Sequence, residues 1–458
     1  MELLLFFADT HRTCGDCRAK LHDVELGLKE GAPVTRRLDD AVLAAVDRRL
    51  AAADAALATH YPGDDGRRQP VHTVYIPGNR YSETMPADWG SAALAAATDA
   101  GGLDTVATLV GASSGTDCEP ETLAALVENK LATEPIEDLR IDFEDGYGSV
   151  DDATEDADVA RAIAALRIAL DAGTSTPFVG TRFKCFEAGT RARGLRTLDM
   201  FVSGLVASGG LPDGLTLTLP KVTSVDQVEA MVAVANALES ANALPAGRIR
   251  FEVQVETPQA ILGADGRAAV AQFIHAGQGR VSSLHYGAYD YSASLGIAAA
   301  YQSMEHPAAD HAKNVMQLAV AGTGVHMSDG STNILPVGDA DNVAMAWKLH
   351  ARLVRRHLER GIYQGWDMHP AQLVTRYLAT YAFYRGAFAP AATRLRTYVQ
   401  QLDSTIMDEP ATARALANVI HRGSVCGALT VDEIESATDL AMSTVRDIAL
   451  GRTTRSTQ

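Results

Sequence analysis

The sequence predicts an α/β fold: a (β/α)8 TIM barrel with an N-terminal and a C-terminal helical extension. Between residues 70 and 375 there are eight short β-type runs, and alanine-rich helical patterns alternate with them. The runs are nearly continuous in apolar residues, as in strands that are buried on both faces of a parallel sheet. The eight runs are Val71–Ile76, Leu139–Phe143, Phe178–Phe183, Leu215–Leu219, Ile249–Val255, Val281–Tyr286, Gly324–Met327 and Gly361–Trp366.

Helical patterns separate the runs, and an open doubly wound sheet is the alternative to a closed barrel. No GxGxxG motif follows the first run and no GxxxxGK[ST] motif occurs, so the nucleotide-binding versions of that sheet lose support. The helical patterns include Val150–Ala172, Ser224–Leu238, Ala260–His275 and Ala340–Arg360.

Three regions are predicted: an N-terminal helical extension (1–68), the catalytic barrel (69–375) and a C-terminal helical region (376–458). The extension contains an amphipathic stretch, Leu38–His60, which a turn-like segment follows. The segment Pro86–Pro135 is too long for one crossover and predicts an excursion with its own helix. Beyond the barrel, further helices are expected at Leu373–Tyr384, Ala391–Leu402, Pro410–Ile420 and Val431–Leu450.

The composition is that of an ordinary soluble globular protein. The chain has 458 residues, of which 47% are hydrophobic and 21% charged, and a formal net charge of −17. Such an acidic chain is not expected to bind nucleic acid or an anionic membrane. The apolar run Leu3–Phe7 is too short to span a bilayer and does not read as a signal peptide, so a cytoplasmic protein is expected.

The five cysteines have no regular spacing, which suits a reducing compartment. Cys14 and Cys17 form a CxxC pair. Because no second pair follows at zinc spacing, we interpret this motif as incidental.

Polar residues follow the predicted strands at their carboxyl ends, where the active site of a parallel barrel lies. Glu256 and Asp290 follow neighbouring strands, so both carboxylates can reach one hard cation such as Mg²⁺, with Mn²⁺ as the alternative ion. Arg182 can donate to an enolate oxygen or a substrate carboxylate, and Gly287 lets the backbone approach a ligand. Other polar residues at these ends are Asn79, Arg80, Glu144, Asp145, Lys221, Thr257 and His369.

Each of these residues also has a purely structural interpretation. A carboxylate at a strand end is often the N-cap of the next helix, and Arg182 can be a partner in a structural ion pair. Lys221 can simply pair with an acid across the rim, and His369 before Pro370 can be a capping residue. Their joint occurrence at successive strand ends favours the functional interpretation.

Five segments resemble the HpcH/HpaI aldolase and citrate lyase β-subunit group of the phosphoenolpyruvate/pyruvate barrel superfamily. They occur in that group's order and span about residues 70–375, and one more segment, Tyr286–Tyr291, is similar to the GRWDY motif of malate synthases. The five are Tyr75–Arg80 (FVPGNR), Ile141–Gly146 (LDLEDAV), Leu219–Val222 (LPKVES), Val255–Pro258 (IETP) and Trp366–Gln372 (IHPxQ).

The resemblance implies a Mg²⁺ site at Glu256 and Asp290, with Arg182 on the substrate oxyanion and Glu144 and Asp145 near metal-bound waters. It also implies a homo-oligomer, a trimer or a hexamer. The predicted catalytic set is Arg182, Glu144, Asp145 and Lys221, and the predicted substrate-binding set is Asn79, Arg80, Thr257, Gly287 and His369.

The sequence departs from the group's pattern at two site positions. Lys184 stands where the group has the Asn of its RxN motif, and Ala288 replaces a frequent Arg. The first crossover is also longer than in lyase β subunits. These departures leave open whether an acyl-CoA is used, while the metal-ligating residues are retained.

The first functional hypothesis is a lyase that cleaves a carboxylated 2-oxo or hydroxy acid, or its acyl-CoA thioester, through an enolate. The second is a malate-synthase-like condensation of glyoxylate with an acyl-CoA, for which Arg191, Arg193 and Arg196 could contribute a basic pocket. The third is phosphoryl transfer with phosphoenolpyruvate, and the fourth is a barrel without catalytic activity that serves as a scaffold.

Overall fold

Eight parallel strands form the barrel that the sequence predicts. The computed structural model describes residues 38–112, 118–402 and 408–452, so Cys14 and Cys17 lie outside the described residues. Every predicted strand is confirmed, with ends that shift by a few residues. The strands are β1 His72–Pro77, β2 Asp138–Asp142, β3 Phe178–Arg182, β4 Leu217–Leu219, β5 Phe251–Val255, β6 Val281–Tyr286, β7 His326–Ser328 and β8 Gly365–Asp367.

The strands lie in chain order in one sheet, which runs from β7 through β1 to β8. A parallel bridge pairs Ser328 with Gln364, and the Asp329 N–H donates to the Gln364 carbonyl at 2.8 Å. These contacts connect the two edge strands, and the barrel is nearly closed. All carboxyl ends therefore meet at one end of the barrel, where a (β/α)8 enzyme has its active site.

Helices follow the strands and surround the barrel. The long first crossover contains three of them, where the sequence predicted an excursion with its own helix, and all three contact the long helix that follows β8. Up to β8 the helices after the N-terminal one are α2 Met85–Asp99, α3 Leu103–Leu109, α4 Pro120–Thr133, α5 Asp152–Ala172, α6 Arg191–Ala207, α7 Val225–Ala241, α8 Pro258–Ile261, α9 Ala269–Ala276, α10 Ala288–Ser294, α11 Pro307–Val320 and α12 Ala340–Glu359.

The chain divides into two compact units, residues 1–57 and 58–458. In the first unit the structure describes most of helix α1 (Asp40–His60), which confirms the helix predicted at Leu38–His60 and has no buried residue. The second unit contains the barrel and the C-terminal helices. Among the described residues, no helix is both long and apolar enough to cross a membrane.

The barrel interior is more polar than the sequence analysis expected. Strands β2 and β5 alternate apolar and polar residues, and their polar residues point inward and are buried. The Arg140 guanidinium pairs with Asp138 and, at 2.7 Å, with Glu252, whose carboxylate also accepts from Thr218. A buried charge needs such partners, and this set of side chains supplies them across three strands.

The C-terminal region packs around one long helix, α13 (Pro370–Val399), where the sequence predicted two. Pro390 lies inside this helix, and the residues after it join a second apolar cluster with the helices that follow. That burial offsets the backbone hydrogen bond that proline cannot make. The remaining helices are α14 Pro410–Val425, α15 Val431–Thr438 and α16 Met442–Ala449.

Two further predicted helices are each divided in the structure. The pattern Ala260–His275 forms α8 and α9, because a turn with Gly266 at φ +76° interrupts it. The pattern Val431–Leu450 forms α15 and α16, because Asp439 adopts a left-handed conformation. Local turn residues outweighed the apolar periodicity in both segments. The region boundaries at 68/69 and 375/376 stay predictions, and α13 runs across the second.

Candidate active site at the carboxyl end of the barrel

A cavity of about 310 Å³ opens at the carboxyl ends of the strands and gathers several of the predicted residues. Acidic and basic side chains line one part of it, and aromatic and apolar side chains line the rest. The lining residues are Tyr75, Pro77, Asp142, Asp145, Gly146, Arg182, Gln254, Glu256, Gly287, Ala288, Tyr289, Asp290, Trp366 and Met368.

Three carboxylates converge in this cavity. One oxygen from each of Asp145, Glu256 and Asp290 lies within 4.8 Å of the other two. Glu256 directly follows β5 and is 2% exposed, whereas the side chains of Asp145 and Asp290 are about half exposed. Three oxygen donors at this separation form a set that could hold a hard metal ion.

Burial raises the pKa of Glu256 to about 8, because the charged form has lost its hydration. The nearby cations Lys221 and Arg182 lower this pKa, and the neighbouring carboxylates Asp290 and Glu144 raise it. The Glu256 Oε1 accepts from the Lys221 N–H at 2.7 Å. A positive charge placed beside Glu256 would favour its ionised form.

Gly287 allows the close approach of Glu256 to the next strand. A Cβ atom at this position would lie 2.5 Å from the Glu256 Cβ and 2.8 Å from its Oε2. A larger residue would therefore displace the carboxylate. The sequence analysis predicted that Gly287 makes room for a ligand, and the structure shows that it first makes room for Glu256.

Lys221 lies among the acidic residues at the end of β4. Its Nζ donates to Glu144 Oε1 and to Asp145 Oδ2, both at 2.7 Å, and lies 3.6 Å from Asp290 Oδ2. Its backbone is left-handed, with φ +49°, which is unfavourable for a residue with a side chain. Burial lowers the Lys221 pKa, but the surrounding carboxylates, Glu256 and Glu144 first, raise it further, so the ammonium stays charged.

Glu144 and Asp145 differ although they are neighbours in the chain. Burial raises the pKa of Glu144. Burial also acts to raise the pKa of Asp145, but hydrogen bonding, first from Lys221, outweighs it and the pKa is lowered. Asp145 lines the cavity, whereas Glu144 is more buried and contacts the two cations, Lys221 and, at 3.6 Å, Arg182.

Arg182, the last residue of β3, is held firmly in the cavity wall. Its Nε and Nη2 donate to the two carboxylate oxygens of Asp142 at 2.7 and 2.8 Å, and its Nη1 donates to Gln254 Oε1 at 3.3 Å. The guanidinium stacks on the Tyr75 ring, 4.6 Å from its centroid. The structural ion pair that the sequence analysis offered as an alternative is therefore present, and Nη1 is the guanidinium nitrogen that faces Gln254 and Glu144.

The structure does not bring every predicted residue to the cavity lining. Asn79 and Arg80 are exposed and do not line it. The Thr257 hydroxyl donates to the Val222 carbonyl at 2.6 Å, and His369 caps α13 by accepting from the Ala371 N–H at 3.2 Å. The capping role that was the alternative for His369 is thus observed, and a substrate-binding role for these residues stays a prediction.

The residues Lys184 and Arg193 have structural partners away from the cavity. The Lys184 Nζ donates to the Phe143 carbonyl and to Glu155, both at 2.8 Å. Arg193 pairs with Asp156 at 2.6 Å, and Arg196 pairs with the same carboxylate. Arg191 donates to the Phe186 carbonyl. These arginines of α6 therefore already pair with groups of the same chain, instead of forming the basic pocket that was suggested for them.

Tyr75, Gln254 and Trp366 are among the lining residues to which the sequence analysis gave no role in the site. The Gln254 Nε2 donates to Glu256 Oε2 at 2.9 Å, and the rings of Tyr75 and Trp366 lie 4.3 Å apart beside Arg182. Alternation was the available signal for Gln254, because a residue two positions before Glu256 on a strand points to the same face. The two aromatic residues begin the segments Tyr75–Arg80 and Trp366–Gln372, whose resemblance to known motifs was the available signal for them.

Comparisons with known proteins identify one family model that covers most of the chain. A family model described as "Domain of unknown function (DUF6986)" matches residues 50–453. No curated protein matches the chain. The description of this family does not name the HpcH/HpaI group, so membership of that group stays a prediction.

Several solved structures resemble the chain at low identity. Haloferax volcanii malate synthase, in a complex with magnesium and glyoxylate, is 13% identical over 84% of this chain and 99% of its own, with a TM-score of 0.47. Mycobacterium tuberculosis CitE, with magnesium, acetoacetate and coenzyme A, is 17% identical over 79% and 98%, with a TM-score of 0.46. The M. tuberculosis citrate lyase β subunit, with oxaloacetate and magnesium, is 18% identical over 68% and 96%, with a TM-score of 0.39. The match over residues 50–453 shows that the chain belongs to the DUF6986 family.

Proposed function

We propose that this barrel is a Mg²⁺-dependent carbon–carbon lyase that acts on a carboxylated 2-oxo or hydroxy acid through an enolate. The observation that carries the proposal is the convergence of Asp145, Glu256 and Asp290 in one cavity that Arg182 also lines. This pairing of a hard-cation site with a fixed guanidinium suits the stabilisation of a developing oxyanion.

The donor set fits a hard divalent cation. All three groups are carboxylates, and the two outer ones are open to solvent, which leaves positions for water and substrate oxygens. Glu256 and Asp290 would be the ligands, as the sequence predicted, and Asp145 is placed to be a third or to hold a bound water. When bound, Mg²⁺ would supply positive charge that binds the substrate oxygens and stabilises an enolate; Mn²⁺ is the alternative ion.

Arg182 would donate through Nη1 to the enolate oxygen or to the substrate carboxylate. Asp142 holds the other edge of the guanidinium, and Tyr75 supports its face, so little reorganisation is needed when charge develops. Removal of one such donor typically slows an enzyme by about 10²–10³.

Asp145 is the candidate base, because it lines the cavity and its lowered pKa keeps the carboxylate ionised and able to accept a proton. In the cleavage direction its carboxylate accepts the proton of the substrate hydroxyl, and that oxygen becomes a carbonyl oxygen. The electron pair of the breaking carbon–carbon bond forms the enolate, which accepts a hydrogen bond from Arg182. The proton then returns from Asp145 to the enolate carbon. Glu144 and Lys221 would position these groups and balance their charge.

The alternatives have less support from the geometry. A condensation with an acyl-CoA requires a basic pocket for the CoA phosphates, and the arginines of α6 are engaged with partners from the same chain. Phosphoryl transfer lacks a nucleotide motif, and a purely scaffolding barrel does not account for a buried carboxyl whose pKa is about 8. A homo-oligomer and a cytoplasmic location stay predictions.

Isothermal titration tests the proposal with metal-stripped protein. Pyruvate, oxaloacetate and glyoxylate are each titrated with and without Mg²⁺ into the wild type, into Glu256→Gln and into Glu359→Gln. Glu359 is an exposed residue of α12 and provides the matched control. We expect a 2-oxo acid to bind only with Mg²⁺, in the wild type and the control but not in Glu256→Gln. The proposal would be contradicted if no 2-oxo acid bound, or if one bound equally well without Mg²⁺ and in Glu256→Gln.

A further inference from the structure

A second cavity, of about 180 Å³, lies at the opposite end of the barrel, where the strands begin. Its lining includes Asp138 and Phe178, which are the first residues of β2 and β3, and Ser282 and Ser283 near the start of β6. Arginines from the segments before β1 and β5 also line it. These are Arg67, Arg68, Arg248 and Arg250. No step of the proposed reaction uses this cavity.

The buried acidic residues of this cavity already have partners. Both oxygens of Asp138 are used, by Arg140 and by the Thr73 hydroxyl at 2.8 Å. Glu252 accepts from Arg140, Thr218 and Tyr75. Burial would raise the pKa of Glu252, but the pairing with Arg140 outweighs it and holds the pKa at about 2. These carboxylates therefore leave little negative charge for a further cation.

Hydrogen-bond donors without a partner collect around the same cavity. Four buried side-chain nitrogen or oxygen atoms of the residues that line this cavity have neither a hydrogen-bond nor an ion-pair partner in the part of the chain that the structure describes. Buried polar groups are rarely left unpaired, because an unpaired group has lost its hydrogen bonds to water without replacing them. The four atoms are Arg68 Nε, Arg250 Nε, Ser282 Oγ and Ser283 Oγ. His285 Nε2, by contrast, lies 3.0 Å from Glu252 Oε2.

A bulge brings two neighbouring hydroxyls to this cavity. The register between β5 and β6 pairs Phe251 with Val281 and Glu252 with Ser283, so Ser282 is the extra residue. Successive residues of a regular strand face opposite sides, and a bulge removes that restriction locally. Ser283 is 6% exposed and its hydroxyl has no partner, although it lines an open cavity.

We propose that this cavity binds a small oxyanion of the phosphate class. Arg250 would supply the charge-assisted contact, because its Nε is buried without a partner. Ser282 and Ser283 would donate their hydroxyls to the same ion. Arg248, whose Nη2 donates to the Leu211 and Pro212 carbonyls, keeps its other nitrogens for the ligand. Guanidinium and hydroxyl donors around one cavity suit a phosphate or a phosphate group of a small metabolite.

Calorimetric titration of the full chain with inorganic phosphate tests this site, with chloride at matched ionic strength as the reference. The variants are Arg250→Gln and Ser283→Ala, and Arg355→Gln, an exposed arginine of α12, is the matched control. We expect saturable phosphate binding in the wild type and the control. Arg250→Gln should weaken it roughly 10- to 100-fold and Ser283→Ala several-fold, since each removes a donor.

Two results would overturn the proposal: heat that does not saturate or that chloride reproduces, and binding that is unchanged in both Arg250→Gln and Ser283→Ala. Either would mean that water alone satisfies the donors. Circular dichroism of each variant shows whether the fold is kept, and Ser283→Ala, a change of one hydroxyl, keeps the test decisive if Arg250→Gln unfolds. A glycerol phosphate that competes with inorganic phosphate would identify a metabolite's phosphate group as the ligand.

Discussion

The two ends of the barrel contain opposite excesses of hydrogen-bonding groups. At the carboxyl end, Asp145, Glu256 and Asp290 converge, and the buried one has a raised pKa. At the amino end, the unpartnered groups are mostly donors, including those of Arg250 and Ser283. The same strands contribute to both ends, so the chemical type of the inward-facing residues changes along each strand from its amino end to its carboxyl end.

A layer of paired charges separates the two ends. Arg140 lies between Asp138 and Glu252, and the Tyr75 hydroxyl donates to Glu252 at 3.2 Å while its ring supports Arg182. Each charged side chain of this layer has an ion-pair partner, whereas carboxylates are in excess on one side of it and donors without a partner lie on the other. The comparison suggests where ligands would bind. A cation would pair with the carboxylates at one end, and an anion would accept hydrogen bonds from the donors at the other.

Removing the middle charge should have the largest effect on stability. Arg140→Met leaves Asp138 and Glu252 buried without their cation, and we expect a loss of about 3–5 kcal/mol in the free energy of unfolding. Urea denaturation measures it. The matched control is Arg352→Met, whose side chain is exposed and pairs with Glu305, and it should lose at most about 1 kcal/mol. Equal losses in the two variants would show that the buried ion pairs of Arg140 contribute no more to stability than an exposed pair.

The raised pKa of Glu256 at the carboxyl end should make the stability of the metal-free protein depend on pH. The pKa of Glu256 is about 8 in the folded state and about 4.5 when unfolded, so between these values the folded state holds a proton that the unfolded state has lost. Stability should therefore fall as pH rises through this window, by an amount on the order of 4 kcal/mol in total. Denaturation of the wild type and Glu256→Gln in EDTA measures it, and identical pH profiles would refute it.

The close packing between β5 and β6 should matter more for chemistry than for stability. In Gly287→Ala the new Cβ would lie 2.5 Å from the Glu256 Cβ, so the carboxylate must move. We expect a loss of about 10²-fold in rate or a comparable loss in metal affinity. The control is Gly189→Ala, where a Cβ would meet nothing within 4 Å. Unchanged metal binding in Gly287→Ala would show that this glycine does not position Glu256.

The smallest effect is expected at the rim, for His369→Ala. The imidazole caps α13, and loss of a cap costs about 1 kcal/mol. Substrate affinity should not change, because His369 does not line the cavity. Thermal denaturation and the titration with 2-oxo acids check the two statements. A marked loss of affinity would instead support the substrate-binding role that the sequence predicted.

The parallel barrel made part of the site predictable. Glu256 and Asp290 follow neighbouring strands, and because the carboxyl ends of such strands meet, their convergence could be expected before the fold was known. Asp145 was expected near the metal and lies within the same set of carboxylates. The contact of Gln254 with Glu256 could have been expected from alternation, but the stacking of Tyr75 on Arg182 joins side chains from non-adjacent strands.

The sequence by itself determined the eight strands, their alternation with helices and the end of the barrel at which the carboxylates meet. Those features follow from local periodicity and from the geometry of parallel strands, which act over short distances along the chain. Only the tertiary structure decided that Lys184 contacts Glu155, that His369 caps a helix and that Arg140 is neutralised inside the barrel. The partner of a side chain depends on which distant segments lie beside it, and neither spacing nor composition encodes that arrangement.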